Sequence, residues 1–168
     1  MTNDIIWKIR DWARERHFEQ ADDRKQTLKM GEECGELCSA YVRGNIDEIK
    51  DAIGDIAVVA IVLCYMHKMD MESVLATVPR VHVHMDLTEN VNEVLCQVGN
   101  VNDAFSPWCN EGNWMKYQSI ADLFRILDVT ALRHKWTLND CLEEVYDVIS
   151  KRSGEWVDGV WVKQEDLK

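Results

Sequence analysis

The sequence has few of the features that mark membrane-spanning or nucleic-acid-binding proteins. It has 19 Lys and Arg against 30 Asp and Glu, a formal charge of -11 at pH 7. Such an excess of acids argues against a broad cationic surface for the phosphates of a nucleic acid. The longest uncharged stretch of the apolar region, Ile56 to His67, is well short of the roughly 18–20 residues that cross a bilayer. We therefore predict no nucleic-acid partner and no membrane span.

Three familiar signatures are also missing. None of the 6 cysteines forms a Cys-x-x-Cys pair, so a zinc knuckle is not indicated. No Gly-rich loop ends in Lys followed by Ser or Thr, which excludes a P-loop NTPase. The first residues carry Asp4 where a secretory signal would carry lysines. We therefore predict a cytoplasmic protein with buried, reduced thiols.

Helical periodicity dominates the chain, and only 2 prolines interrupt it. Apolar residues recur at three- and four-residue spacing, which is typical of helices packed around a core. The pattern predicts helices from about Asp4 to Phe18, Asp23 to Arg43, Ile46 to Lys68, and from Asp70 to before Pro79. Residues 106–116 are predicted to be a loop, and an Asp-Gly pair among apolar β-formers in the tail predicts a short hairpin or flap. The predicted fold class is an all-α bundle.

A shift of 67 residues brings similar residues into register and indicates an internal duplication. It sets Asp55 on Asp122, and His67-Lys68 on His134-Lys135. The acids do not repeat: Glu32, Glu33 and Glu36 fall opposite Gly99, Asn100 and Asp103. Within one compact domain we predict an acid-rich half (residues 1–80), a degenerate half (residues 81–152) and a C-terminal flap (residues 153–168).

The acids of the second and third predicted helices are spaced as helical stripes. They are Glu32, Glu33 and Glu36 on one helix and Glu48, Asp51 and Asp55 on the next. Residues three, four or seven apart lie on one helix face. The short Gly44-Asn45 connection favours antiparallel packing, which would bring the two stripes face to face.

Carboxylates that converge in this way favour a divalent cation. Each carboxylate raises the pKa of its neighbours, and a cation relieves the repulsion. Oxygen ligands without histidine suit Mg²⁺, or Mn²⁺ as a substitute. The alternative is a solvated acidic face balanced by lysines such as Lys29 and Lys50.

Two segments resemble the signature of the all-α nucleoside triphosphate pyrophosphatases, specifically the MazG-like branch. They are Glu32-Glu33-Cys34-Gly35-Glu36-Leu37 and Asp51-Ala52-Ile53-Gly54-Asp55-Ile56. The resemblance covers about residues 5–80. It implies a helical bundle that uses Mg²⁺ to hydrolyse a (deoxy)nucleoside triphosphate between the α- and β-phosphates, releasing the monophosphate and pyrophosphate.

The resemblance also implies site residues. It assigns metal ligands to Glu33 and Glu36 on the second helix and to Asp55 on the third. The remaining family ligand usually lies three residues before this aspartate, where the sequence has Ala52. We predict that Asp51 replaces it, because the Gly-Asp-apolar run that follows matches the family better. The alternative is that Glu48-x-x-Asp51 spells the motif one turn earlier, and Glu48 is kept as an outer-shell candidate. Glu32 is the candidate that orients or deprotonates the attacking water.

Basic and aromatic residues supply candidate substrate contacts. Lys29, one turn before the acids, contacts phosphate or forms a structural ion pair. Lys151, Arg152 and Lys163 bracket a tail that resembles the tails of phage-type MazG-like proteins. We predict phosphate contacts for Lys151 and Arg152 and place Trp161 or Trp156 near the base; a tail that is simply packed is the alternative. From the second half, Phe105, Phe124 and Trp136 are expected to add packing and part of the base pocket.

Two other interpretations remain to be compared. A di-iron bundle needs Glu-x-x-His motifs, and no histidine has a glutamate three residues before it. A non-catalytic binding or regulatory module with a relic acidic groove is favoured by the missing acid at Ala52. A duplicated chain would be a monomer, whereas an unduplicated one would pair as a homodimer to complete its bundle.

Overall fold

The computed structural model is a helical bundle that ends in a two-stranded hairpin, and it describes residues 3–78, 86–110, 112–164 and 167. The helices are α1 (Asn3–Glu15), α2 (Asp23–Arg43), α3 (Ile46–Met66), α4 (Met71–Thr77), α5 (Leu87–Ala104), α6 (Asn113–Arg133) and α7 (Leu138–Ile149). The strands are β1 (Gly154–Val157) and β2 (Val160–Lys163), paired antiparallel. The predicted all-α fold class is confirmed. The predicted boundary at residues 80 and 81 lies outside the described residues.

Side-chain caps set the starts of the first-half helices. Asp22 accepts a hydrogen bond from the backbone N–H of Arg24 and starts α2. Asn45 and Asp70 start α3 and α4 in the same way. Each cap satisfies N–H groups that the first helical turn leaves without partners. These starts agree with the prediction from the sequence.

Two predicted boundaries are wrong. The first helix ends at Glu15 rather than Phe18, because His17 adopts a left-handed conformation (φ 58°) and residues 18–20 form a 3-10 turn. The predicted loop over residues 106–116 is shorter, because α6 already begins at Asn113. Neither boundary residue carries a strong helix-breaking signal, and tertiary packing decides both ends.

Helix α3 is the centre of the core and packs against α1, α2, α6 and α7. Nearly every side chain between Ile56 and Cys64 is buried, so this segment reads as a continuous apolar run rather than a one-sided helix. The 6 cysteines are all free, but the prediction that they are buried is wrong for Cys96, which is exposed, and for Cys38 and Cys109, which are half-buried.

Gly54 marks the closest approach between α3 and α7. A Cβ atom at this position would lie 2.6 Å from the carbonyl oxygen of Cys141 and 2.6 Å from a methyl group of Val145. We expect Gly54→Ala to lower the free energy of unfolding by about 1–3 kcal/mol through overpacking. The matched control is Gly99→Ala on α5, where a Cβ meets nothing within 4 Å; it should stabilise by about 0.5–1 kcal/mol. Equal effects of the two changes in urea unfolding would contradict this packing.

The 67-residue shift also relates the secondary structure of the two halves. It carries the limits of α3 (Ile46–Met66) onto those of α6 (Asn113–Arg133), and the start of α4 onto the start of α7. The helix ends repeat in detail: Lys68 and Lys135 both have positive φ, 53° and 65°. The backbone N–H of Met69 bonds the carbonyl of Cys64, and Trp136 bonds Ala131 in the same way. The backbone conformation of the two halves therefore repeats, although few residue identities do.

The packing between the halves has the same symmetry. Helix α3 packs on α7, and its counterpart α6 packs on α4, the counterpart of α7. Helix α2 packs on its own counterpart α5, and α3 on α6. Such reciprocal contacts are the pattern of an isologous dimer interface. The arrangement is what an internal duplication requires, with the two halves joined in one chain.

The C-terminal hairpin turns at Asp158 and Gly159. Both residues have positive φ, 49° and 77°, as a two-residue type I′ turn requires, and glycine adopts this conformation without strain. The predicted hairpin is confirmed. Its turn is attached to the start of α2: Gly159 O accepts from Asp22 N at 3.2 Å, and Lys25 Nζ donates to Asp158 O at 2.6 Å.

Candidate active site

A cleft of about 580 Å³ lies between α2, α3, the end of α7 and the hairpin. One side is acidic and is lined by Glu32, Glu33, Glu36, Asp51 and Asp55. Basic side chains, Lys25, Lys29, Arg152 and Lys163, also line it. The apolar end is lined by Trp12, Phe18, Val58, Val59, Val62, Ile149, Trp156 and Trp161. A mixed cleft of this size is suited to a small, charged ligand with one apolar part.

The structure brings all five predicted carboxylates to this cleft. Antiparallel packing of α2 on α3 places the two stripes opposite each other, as the short connection predicted. Ala52 is only 3% exposed and lies in the core, whereas its neighbour Asp51 lines the cleft. Glu48 does not line it and pairs with Arg43 instead. Asp51, one position before Ala52, therefore offers the cleft a carboxylate that Ala52 lacks.

Lys29 is the immediate partner of two of these acids. Its Nζ lies 2.7 Å from Oε1 of Glu33 and 3.0 Å from Oε2 of Glu32. Burial lowers the pKa of Lys29, but these two hydrogen bonds outweigh burial and the net effect is a raised pKa. Of the two roles predicted for Lys29, the structure shows the ion pair.

Burial and mutual repulsion raise the pKa values of two acids of the cleft. Asp55 has its pKa raised to about 7, first by burial and then by the charges of Glu33 and Asp51; Arg152 and Lys29 oppose this shift. The pKa of Glu33, only 5% exposed, is also raised by burial, although Lys29 opposes it. Burial and the neighbouring carboxylates therefore disfavour the charged forms of Asp55 and Glu33.

The donor set fits Mg²⁺, although it is not pre-arranged. The five acids are hard oxygen donors with no histidine among the cleft residues, as Mg²⁺ prefers. Among the described residues, no group of three or more His, Cys, Asp or Glu side chains already stands in an arrangement that could hold a metal ion. Lys29 pairs with one oxygen of each of two acids, Glu32 Oε2 and Glu33 Oε1.

Some of the residues predicted to contact the substrate line the cleft, and others do not. Lys29, Arg152 and Trp161 line the cleft, whereas Lys151 is exposed and does not. Lys163 and Trp156 also line it. The second-half residues Phe105 and Phe124 are buried in the core, and neither they nor Trp136 lie among the cleft residues, so the expectation that they form part of a base pocket is wrong.

The aromatic end of the cleft is built by α1 as well as the hairpin. The ring centre of Phe18 lies 5.1 Å from those of Trp12, which is tilted against it, and Trp156, which is edge-on to it. Trp156 in turn lies edge-on to Trp161 at 5.6 Å. Trp12 and Phe18 are cleft residues that no motif of the sequence indicated. No spacing signal links them to a tail more than 130 residues away.

The second half holds its own cation at the position that corresponds to the acidic site. Asp122, the counterpart of Asp55, accepts a hydrogen bond from Gln118 at 3.0 Å. Arg125, opposite Val58 in the shift, lies 3.9 Å from Asp122 and 3.8 Å from Glu93. Its side chain is 16% exposed. In the second half an arginine at the position of Val58 therefore lies near two acids.

Comparison with known proteins finds a family to which the acidic half is similar. Residues 7–82 match the family described as phosphoribosyl-ATP pyrophosphohydrolase. This match confirms the resemblance of the first half to the all-α pyrophosphohydrolases, and it includes every carboxylate of the cleft. The matched residues end before α5, so the second half of the chain and the hairpin lie beyond them.

One curated relative is a phage protein. An uncharacterized 18.2 kDa protein in the rep-hol intergenic region of Haemophilus phage HP1 (strain HP1c1) is 40% identical over 67 residues. That stretch covers 39% of this chain and 41% of the phage protein, so the chain matches about two fifths of its relative. No solved structure gives a significant match. None of the described helices is long and apolar enough to span a membrane.

Proposed function

We propose that the protein is a Mg²⁺-dependent nucleoside triphosphate pyrophosphohydrolase of the MazG-like type. It would hydrolyse (deoxy)nucleoside triphosphates between the α- and β-phosphates to the monophosphate and pyrophosphate. The main support is the cleft itself, where five carboxylates face basic side chains and an aromatic end. All five carboxylates lie within the matched residues 7–82, and the hairpin adds Trp156 and Trp161. A metal–triphosphate group and a base need these two environments side by side.

The chain's residues divide the work of this reaction. Glu33, Glu36, Asp51 and Asp55 would hold Mg²⁺, which when bound neutralises phosphate charge and acidifies water. Lys29, released from the acids, and Arg152 would hold phosphate oxygens. Glu32, whose side chain is 59% exposed, would accept the proton of the attacking water. Addition of water to phosphorus breaks the α–β anhydride and releases pyrophosphate.

The direct test is release of pyrophosphate from a panel of NTPs and dNTPs with Mg²⁺. Phosphoribosyl-ATP belongs in the panel, since the matched family is described by that substrate. We expect release from at least one nucleoside triphosphate, and the ranking of substrates gives base and sugar preference. Release from phosphoribosyl-ATP alone would reassign the substrate while keeping the chemistry.

A non-catalytic binding module is the second candidate, and one observation favours it. Lys29 already neutralises Glu32 and Glu33, and the described carboxylates hold no ready-made metal arrangement. A folded protein that binds Mg²⁺ and nucleotide without release of pyrophosphate from any substrate would support this module. Isothermal titration with Mg²⁺ and a nucleotide distinguishes it from a protein that binds neither.

The two adjacent basic residues after α7 should differ in their effect on substrate affinity. Arg152 lines the cleft and its charge acts on Asp55, whereas Lys151 points elsewhere on the surface and is not a cleft residue. We expect Arg152→Ala to raise KM for the triphosphate about three- to tenfold, a charge contact weakened by solvent. Lys151→Ala should give the smaller rise. An equal or larger effect of Lys151→Ala would contradict this placement.

A further inference from the structure

Side chains from the end of α1 and the turn after it bind carbonyl groups where the chain leaves α7. The last carbonyls of any helix lack intrahelical partners. Here Trp12 Nε1 donates to Ile149 O at 3.1 Å, and Arg16 Nη2 donates to Ser150 O at 3.3 Å and to Arg152 O at 3.1 Å. A cation at a helix C-terminus is also favoured by the helix dipole. Trp12 on α1 and Arg16, one residue beyond α1, therefore fix the chain where it leaves α7.

Arg16 is connected to the hairpin on its other sides. Its guanidinium carbon lies 5.0 Å from the ring centre of Trp12 and 5.9 Å from that of Trp161. Its own carbonyl accepts a hydrogen bond from Trp156 Nε1 at 2.7 Å. One residue thus contacts α1, the end of α7 and both strands of the hairpin, yet it is not itself a cleft residue.

We propose that Arg16 is a positioning residue, which holds the backbone of Arg152 so that the Arg152 side chain faces the carboxylates and the phosphates of the substrate. The inference rests on the proposed function and goes beyond it, since residue 16 lies in the matched segment but outside the acidic motif. Arg152 is solvent-exposed and makes no hydrogen bond to the acids among those the structure gives. A held backbone restricts the positions that this exposed side chain can reach, so less entropy is lost when its guanidinium binds phosphate.

The test is a double-mutant cycle between the two arginines. Arg152→Ala keeps the carbonyl that Arg16 binds, so the cycle isolates what Arg16 does through the Arg152 side chain. The probe is inorganic pyrophosphate with Mg²⁺, followed by tryptophan fluorescence, and KM and kcat are measured in parallel with the best triphosphate. We expect Arg16→Ala to weaken pyrophosphate binding about fivefold in the parent and less than about twofold in Arg152→Ala. KM should rise in parallel, with a smaller change in kcat.

Arg14→Ala is the matched control and should leave binding unchanged. Arg14 lies in the last turn of α1, is exposed, and pairs only with Asp11 among the ion pairs that the structure gives for it. If Arg16→Ala does not fold, Arg16→Gln, which keeps an N–H donor and part of the stem, replaces it in the same cycle. Equal losses in both backgrounds would mean a structural role only and would overturn the inference, as would a parent that does not bind pyrophosphate. A parent that binds pyrophosphate but hydrolyses no nucleotide would defeat the proposed function alone.

Discussion

Asp55→Asn should abolish pyrophosphate release and at the same time stabilise the metal-free protein. Asp55 is a proposed metal ligand, and its loss should lower kcat about a hundredfold or more. Its half-buried carboxylate has its pKa raised to about 7, first by burial and then by the charges of Glu33 and Asp51. Asparagine has nearly the same shape and carries no charge, so the substitution removes a partly buried charge that Arg152 and Lys29 only partly offset.

The sign and pH range follow from the raised pKa. The folded state holds the proton more tightly than the unfolded state, where the carboxyl titrates near its ordinary 3.8. The parent therefore loses stability as the pH rises from about 4 to about 7. The stabilisation by Asp55→Asn should reach about 3–4 kcal/mol at pH 8, on the order of 10 °C in Tm, and be less than half as large at pH 5.

The 67-residue shift offers a matched control at the position that corresponds to Asp55. Asp122→Asn removes the carboxylate that Gln118 and Arg125 contact, so we expect a small loss of stability and activity within about twofold of the parent. Thermal unfolding in EDTA at both pH values and pyrophosphate release in Mg²⁺ check both variants. Loss of activity in Asp122→Asn, or destabilisation by Asp55→Asn at pH 8, would contradict the assignment.

Removal of the metal should reduce activity to the uncatalysed background and also lower stability. With EDTA the acids of the cleft retain only basic side chains such as Lys29 as counter-ions. We expect saturating Mg²⁺ to restore activity and to raise the free energy of unfolding by about 2–3 kcal/mol at a hundredfold excess over Kd. Calorimetry with and without Mg²⁺ measures this difference directly.

The stabilisation should depend on the first half alone. Glu36→Gln should remove most of the Mg²⁺-induced rise in Tm, because it removes one proposed ligand. Asp103→Asn is the control, since Asp103 occupies the position opposite Glu36 in the second half. Activity that survives chelation, or a Mg²⁺ effect lost in Asp103→Asn but kept in Glu36→Gln, would refute the proposed metal site.

Much of the fold could be predicted because its signals are local. Asp22, Asn45 and Asp70 cap helices within two or three residues along the chain, and the apolar spacing of α3 marks a buried helix. The Asp158-Gly159 turn needs only its own two residues. Where such a signal was weak, the predicted boundary differed from the structure by three residues at the end of α1 and by four at the start of α6.

The acidic side of the cleft could be predicted for the same reason. Glu33 and Glu36 share one helix face and Asp51 and Asp55 another, and a short turn forces the two helices to pack side by side. Spacing along a helix is fixed by backbone geometry, so the convergence of these acids needs no knowledge of the rest of the chain.

The sequence by itself determined the helices, the carboxylate stripes and the register of the duplication, since each depends on residues that are neighbours along one helix or on a constant shift. Only the tertiary structure decided that Trp12 and Arg16 meet the end of α7, that Arg152 and not Lys151 faces the acids, and that Arg125 holds the corresponding position in the second half. These contacts join residues whose separation along the chain carries no periodic signal. They form because the helices must bury their apolar faces together, and that packing depends on all side chains at once.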